Sequence, residues 1–175
     1  VNADAIIAVY PFTPQPSITQ AIISVSEVPV FVGVGGGMTN GDRSVRLAEY
    51  SEHQGASGVV VNAPISNETI AKMKAVVDIP VVTTIVSGDM DIAGRLAAGA
   101  DILNVSGASR TPEIVAKIRA EFPTVPIIAT GGPREEDILR TIEAGANAIT
   151  YTPPTTGQLF ADIMVSHRKN FSHQD

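Results

Sequence analysis

Thr130-Gly131-Gly132 stands between a short apolar run, Ile127-Ile128-Ala129, and a helical pattern opened by Pro133. Two glycines let backbone N–H groups come close to a ligand, and a helix start adds partial positive charge. That combination offers anion binding, most simply of a phosphate. Tyr151 and Thr152 close the next apolar run. Four more polar residues fall at or next to the ends of apolar runs: Asn62, Thr84, Asn104 and Ser106. Their amides and hydroxyls suit a small, oxygen-rich substrate. Arg110 follows the small-residue loop Ser106-Gly107-Ala108-Ser109 and offers a bidentate fork for phosphate or carboxylate. Arg43 and Arg134 also lie just past apolar runs, where a solvated surface arginine would look the same.

The residues for acid–base or covalent chemistry are scarce. His53, His167 and His173 fall in helical patterns or near the C-terminus, as do Lys72, Lys74, Lys117 and Lys169. No lysine stands at a strand end to form a Schiff base. Asp89, Asp91 and Asp42 read as helix caps or first-turn acids, so no metal site is assigned. Tyr10 and Tyr151 are the remaining general-acid candidates, and no catalytic residue is assigned. With no cysteine in the chain, disulfides, a thiol nucleophile and Cys-ligated zinc are excluded.

The elements that must position these residues repeat. Val28-Pro29-Val30-Phe31-Val32, Ile79-Pro80-Val81-Val82-Thr83 and Val125-Pro126-Ile127-Ile128-Ala129 form one type of segment. Gly55-Ala56-Ser57, Gly99-Ala100-Asp101 and Gly145-Ala146-Asn147 each open a second type. The two types alternate, each at a spacing of roughly 45 residues, as repeated supersecondary units do. All six are short, β-branched and bounded by Gly or Pro, which predicts strands. They alternate little, as parallel strands covered on both faces do. Helical patterns fill the gaps: Ser66 or Asn67 opens one carrying Ile70, Met73 and Val76. Thr111 and Pro112 open another with Ile114, Val115 and Ile118 inward. Pro133 opens a third with Ile138, Leu139 and Ile142 inward and Gly145 as its stop. Ala3-Asp4 stands before Ala5-Ile6-Ile7-Ala8 as Ala100-Asp101 stands before Ile102, giving a seventh strand.

The expected fold is therefore an α/β, TIM-like (β/α) barrel with about seven strands, one domain over residues 1–175. The pairing pattern calls for one more strand before residue 1, so the first βα unit is expected to be missing. A seven-stranded or open barrel is the alternative. The gap would lie between the first and last strands and be closed by their pairing, by a C-terminal helix over residues 159–171, or by a second subunit in a homo-oligomer. Ligands in such folds bind at the carboxyl ends of the strands. Side chains alternate along a strand, so Val60, Asn104 and Thr150 should point inward, with Asn62, Ser106 and Thr152 one layer higher. The loop from Gly35 to Gly41 is long enough to act as a lid or clamp.

The bulk properties set limits. The 175 residues are 44% hydrophobic with a net charge of −6. The acidic balance argues against a nucleic-acid partner. No apolar run approaches a membrane helix, and the expected compartment is the cytoplasm.

On Thr130-Gly131-Gly132 and Tyr151-Thr152-Pro153, the chain resembles the phosphate-binding (β/α)8 barrel superfamily. The resemblance implies that backbone N–H groups of these two loops hold a phosphate. The order of elements also resembles the glycerol-3-phosphate-responsive antiterminator family. The charged loop residues expected there after the third and fifth strands are replaced by Gly35-Gly36-Gly37 and Thr83-Thr84. Three functions share such loops: a lyase or isomerase acting on a small phosphorylated metabolite, a non-catalytic regulatory barrel, and an FMN-binding oxidoreductase. The first two need no cofactor.

Overall fold

The computed structural model describes residues 3–9, 14–132, 134–152 and 155–171. Tyr10, Pro133, Pro153 and His173, singled out above, lie outside the described residues. Seven strands alternate with helices: β1 (Ile6–Ala8), α1 (Pro16–Val25), β2 (Val30–Gly35), α2 (Asp42–His53), β3 (Gly58–Val61), α3 (Asn67–Lys74), β4 (Val81–Ile85), α4 (Ile92–Ala97), β5 (Ile102–Val105), a 3₁₀ turn (Ala108–Arg110), α5 (Thr111–Glu121), β6 (Ile127–Thr130), α6 (Glu135–Glu143), β7 (Ala148–Thr150) and α7 (Thr156–Phe171). All strands are parallel and pair in chain order from β1 to β7. The chain is a TIM-like α/β barrel. A closed (β/α)8 barrel has eight strands; among the described residues no ladder joins β1 to β7, so the sheet is open there.

The repeat seen in the sequence is a repeat of hydrogen bonds. Gly55, Gly99 and Gly145 follow the ends of α2, α4 and α6 with φ of 93°, 103° and 106°. The next residue in each case donates back across the helix end: Ala56 N–H to Ser51 O at 3.0 Å, Ala100 to Arg95 at 3.1 Å, Ala146 to Thr141 at 3.3 Å. This Schellman arrangement needs a left-handed residue, hence glycine. The residue after that enters the sheet at once. Ser57, Asp101 and Asn147 donate to Val30, Val81 and Ile127 of the preceding strand at 2.8–2.9 Å.

Burial follows the position in the sheet. Every residue of β3 and β4 is buried, whereas β7 has none buried and β1 only Ala8. Two apolar clusters lie between sheet and helices. One joins β2, β3 and the start of β4 to α2 and α3 through Val59, Val61, Ile70 and Met73; the other joins β5 and β6 to α5 through Leu103, Ile114, Ile118 and Ile127.

Several local details differ from expectation. Ser66 and Asp91 do cap α3 and α4, accepting from Thr69 N–H and Gly94 N–H. Asp42 caps nothing; it is the first residue of α2 and lies 3.5 Å from Lys72. Thr111 is the first residue of α5. Its hydroxyl accepts from Gly107 N–H and donates to Ala108 O, closing the 3₁₀ turn rather than capping the helix. Leu139 and Ile142 are about half exposed because α6 flanks the edge strand β7. α7 keeps Phe160 and Ile163 mostly exposed.

Candidate functional site

A cavity of about 890 Å³ fills the inside of the curved sheet. Closed barrels fill this space with layers of large side chains. Here Gly33, Gly35 and Ala148 contribute almost nothing, and the missing β1–β7 contact leaves the side open. The strand register explains the lining. Thr84 pairs with Asn104, Asn104 with Ile128, and Ile128 with Ala148, forming one inward row. Thr130 pairs with Thr150 in the row above. Val60, Asn104 and Thr150 reach the cavity, as side-chain alternation predicts, and so do Asn62, Ser106 and Thr152. The register does not put the first three in one layer: Val60 pairs with Val82, a row below Asn104, and Thr150 lies a row above it, because the strands are staggered.

Inside, Asn104 Nδ2 donates to Thr84 Oγ1 at 3.3 Å, while Asn104 Oδ1 has no partner. Thr150 Oγ1 donates to Ala129 O at 3.5 Å. At the mouth, the Gly35–Gly41 segment is tied down rather than free. Gly36 N–H and the buried Ser44 hydroxyl both donate to Thr39 O, at 2.9 and 3.1 Å. Gly36 has φ of +94°, and a Cβ there would lie 2.6 Å from Asn62 N and O. The close approach of these two loops therefore requires glycine. Asn62 Oδ1 turns back to accept from Ala63 N–H at 2.8 Å. The adjoining β3–α3 loop is held by Arg95, which donates to Ala63 O at 2.8 Å and also to Ile65 O. Burial pushes the Arg95 pKa below its ordinary value, ahead of the opposing attraction of Asp91.

Thr130, Tyr151 and Thr152 also line the cavity. Gly131 N–H is already used, donating to Thr150 O at 3.0 Å. Both glycines are needed for packing as well. A Cβ on Gly131 would sit 2.8 Å from Ile149 Cγ2, and one on Gly132 2.4 Å from Asp137 Cβ. The start of α6 carries Glu135, Glu136 and Asp137, with Asp137 bonded to Arg134 through Oδ1 and Oδ2 at 3.0 Å each. These carboxylates already complement the helix end. Arg110 is exposed on the 3₁₀ turn and is not part of the cavity wall, so the structure does not bring it to the other candidates. Arg43 lines a separate groove with Arg46, Leu47 and Tyr50.

Thr39 was missed by sequence reasoning. It is 2% exposed, borders the cavity, and its hydroxyl has no partner. Its only sequence signal is its place four residues after Gly35. The titratable side chains on the described wall are Asp4 and Tyr151, and Asp4 lies at the amino end of β1, away from the mouth. Among the described residues no group of three His, Cys, Asp or Glu could hold a metal, and no helix is long and apolar enough to cross a membrane.

No protein-family model matches the chain, and no curated protein does. Solved structures match its fold. A 2,3-dimethylmalate lyase of the PEP mutase/isocitrate lyase superfamily aligns with 99% of this chain and 77% of its own, at 14% identity and a TM-score of 0.73. An aldolase aligns with 77% and 73%, at 18% identity and a TM-score of 0.66. The 4-hydroxy-tetrahydrodipicolinate synthase of Methylacidiphilum fumariolicum SolV aligns with 86% and 57%, at 15% identity and a TM-score of 0.68.

Proposed function

We propose that this TIM-type barrel binds a small phosphorylated metabolite at its mouth and carries out a lyase-type reaction on it. One observation carries the reading: the part of the cavity at the carboxyl ends of the strands is walled by uncharged donors and acceptors on five strands, including Asn62, Thr84, Asn104, Ser106, Thr130 and Thr152. Ligand sites of this fold occupy that end. The phosphate would lie between the ends of β6 and β7. Thr130, Thr152 and Tyr151 would offer hydroxyls and Gly132 its N–H, while Gly131 shapes the turn. The acidic first turn of α6 limits what the helix end adds, so hydroxyl donors have the larger part. The lyase class is supported by the aldolase and lyase folds that the chain resembles.

A second reading, a ligand-sensing barrel without catalysis, is favoured by the wall itself, whose described titratable side chains are Asp4 and Tyr151. Without a lysine there, carbonyl substrates have no Schiff-base partner on the described wall.

Thermal unfolding with inorganic phosphate, glycerol phosphate and FMN tests the binding. Glycerol phosphate should raise the melting temperature, and Thr130→Val should reduce the rise. No shift with any phosphate compound would refute the reading; a shift with FMN alone, with yellow protein, would favour an oxidoreductase. Proton NMR of incubated phosphorylated hydroxy acids then separates lyase from sensor, since a sensor forms no cleavage products.

A further inference from the structure

We propose that the Thr84–Asn104 pair reads a hydroxyl group on the ligand's carbon chain, so the ligand is a polyol or hydroxy acid rather than a plain alkyl phosphate. This rests on the reading above and names its substrate class. The pair sits in the inward row shared with Ile128 and Ala148. At those neighbours the row is apolar, so nothing about packing in this layer demands polarity. Thr84 is 8% exposed, accepts from Asn104 Nδ2, and has a hydroxyl proton still to donate. Asn104 Oδ1 has no partner. One donor and one acceptor thus lie side by side and unused, in a place where unmet polar groups destabilise the fold. The terminal amide torsion of asparagine is soft, so Oδ1 can swing toward an incoming group at little cost. A hydroxyl matches the pair because it donates and accepts through one atom. A carboxylate or phosphate oxygen would meet the Thr84 proton but leave Asn104 Oδ1 facing another acceptor. Sites that hydrogen-bond a substrate hydroxyl discriminate strongly against analogues that lack it.

The test is calorimetric titration of the protein with two pairs of ligands, glycerol phosphate against propyl phosphate and glycerate against propionate. The same titrations are run on the double variant Thr84→Val, Asn104→Leu. The hydroxylated member of a pair should bind at least tenfold more tightly to the wild type. The variant should bind both members within twofold, with a melting temperature no lower than the wild type, because the near-isosteric apolar pair removes an unmet acceptor. A hydroxyl preference for glycerate alone, lost in the variant, with neither phosphate ester bound, supports the hydroxyl reading and overturns the phosphate one. Equal binding within the pairs, no binding of any of the four, or a preference surviving in the variant overturns the hydroxyl reading. A variant that melts several degrees lower also overturns it, since that marks a structural role.

Discussion

Asp101 and Asp4 occupy the same place in the internal repeat, each preceded by alanine and each just before a strand, yet their surroundings differ completely. Asp101 Oδ2 accepts from Val81 N–H at 2.9 Å and from Lys74 Nζ at 2.8 Å, joining the starts of β4 and β5 to the end of α3. Asn147 repeats the arrangement one unit later, its Oδ1 accepting from Ile127 N–H and Arg119 Nη2, both at 2.9 Å. Asp4 has no strand on its outer side and no partner among the described residues. The neighbouring strand, not the residue, gives the acid its role. The same contrast governs whole strands: the central β3 and β4 are buried on both faces, and the edge strands β1 and β7 are not.

Three measurements can break this comparison. The largest effect is expected for Leu103→Ala against Ile7→Ala. Leu103 is fully buried in β5, and its truncation should cost about 3 kcal/mol, a fall in melting temperature of roughly 6–12 °C. Ile7 faces the open cavity from β1, and its truncation should cost about 1 kcal/mol or less. Equal losses would mean that the edge is packed as firmly as the centre.

Next, Asp101→Ala should cost about 1–2 kcal/mol by leaving Val81 N–H and Lys74 without their acceptor. Asp4→Ala should stay within about 0.5 kcal/mol. Urea unfolding of both variants checks this, and a matching loss at Asp4 would show that its carboxylate has a structural partner after all.

The smallest effect is expected at Asp137, an acid whose partner is near in sequence. The hydrogen bond from Arg134 holds its carboxyl below the ordinary aspartate range, against a smaller opposing effect of desolvation. A depressed folded pKa contributes stability that is fully present above the unfolded value and is lost as pH falls through the folded one, so the pH dependence, not the contribution itself, lies in acid below about pH 4. Arg134→Ala should move the Asp137 titration midpoint upward in a carbon-detected NMR titration and lower the melting temperature at pH 7 only slightly, because the arginine of the pair is solvent-exposed and screened. An unmoved midpoint would mean that the pair does not persist in solution.

Much of the architecture was legible because its causes are local. The Gly-Ala repeat marks helix ends through a hydrogen-bond pattern that spans six residues. Side-chain alternation then assigns Val60, Asn104 and Thr150 to the inside without any knowledge of the partner strands. The thin supply of acids and bases at the strand ends was likewise readable residue by residue. Where the sequence reading failed, the deciding contact was distant or depended on a loop's path. Arg110 looked poised for a ligand, but the 3₁₀ turn closed by Thr111 carries it outward. Leu139 and Ile142 have the right helical spacing for a core, but α6 flanks an edge strand and has too little to cover.

Strand order, helix ends and the inward polar layer thus follow from short-range geometry, which each repeat carries in its own residues. Whether β1 meets β7, how large the space between them is, and which polar atoms are left without partners depend on how accumulated strand tilt brings remote edges together. Only the tertiary structure decides these, because closing a sheet is a property of all its strands at once.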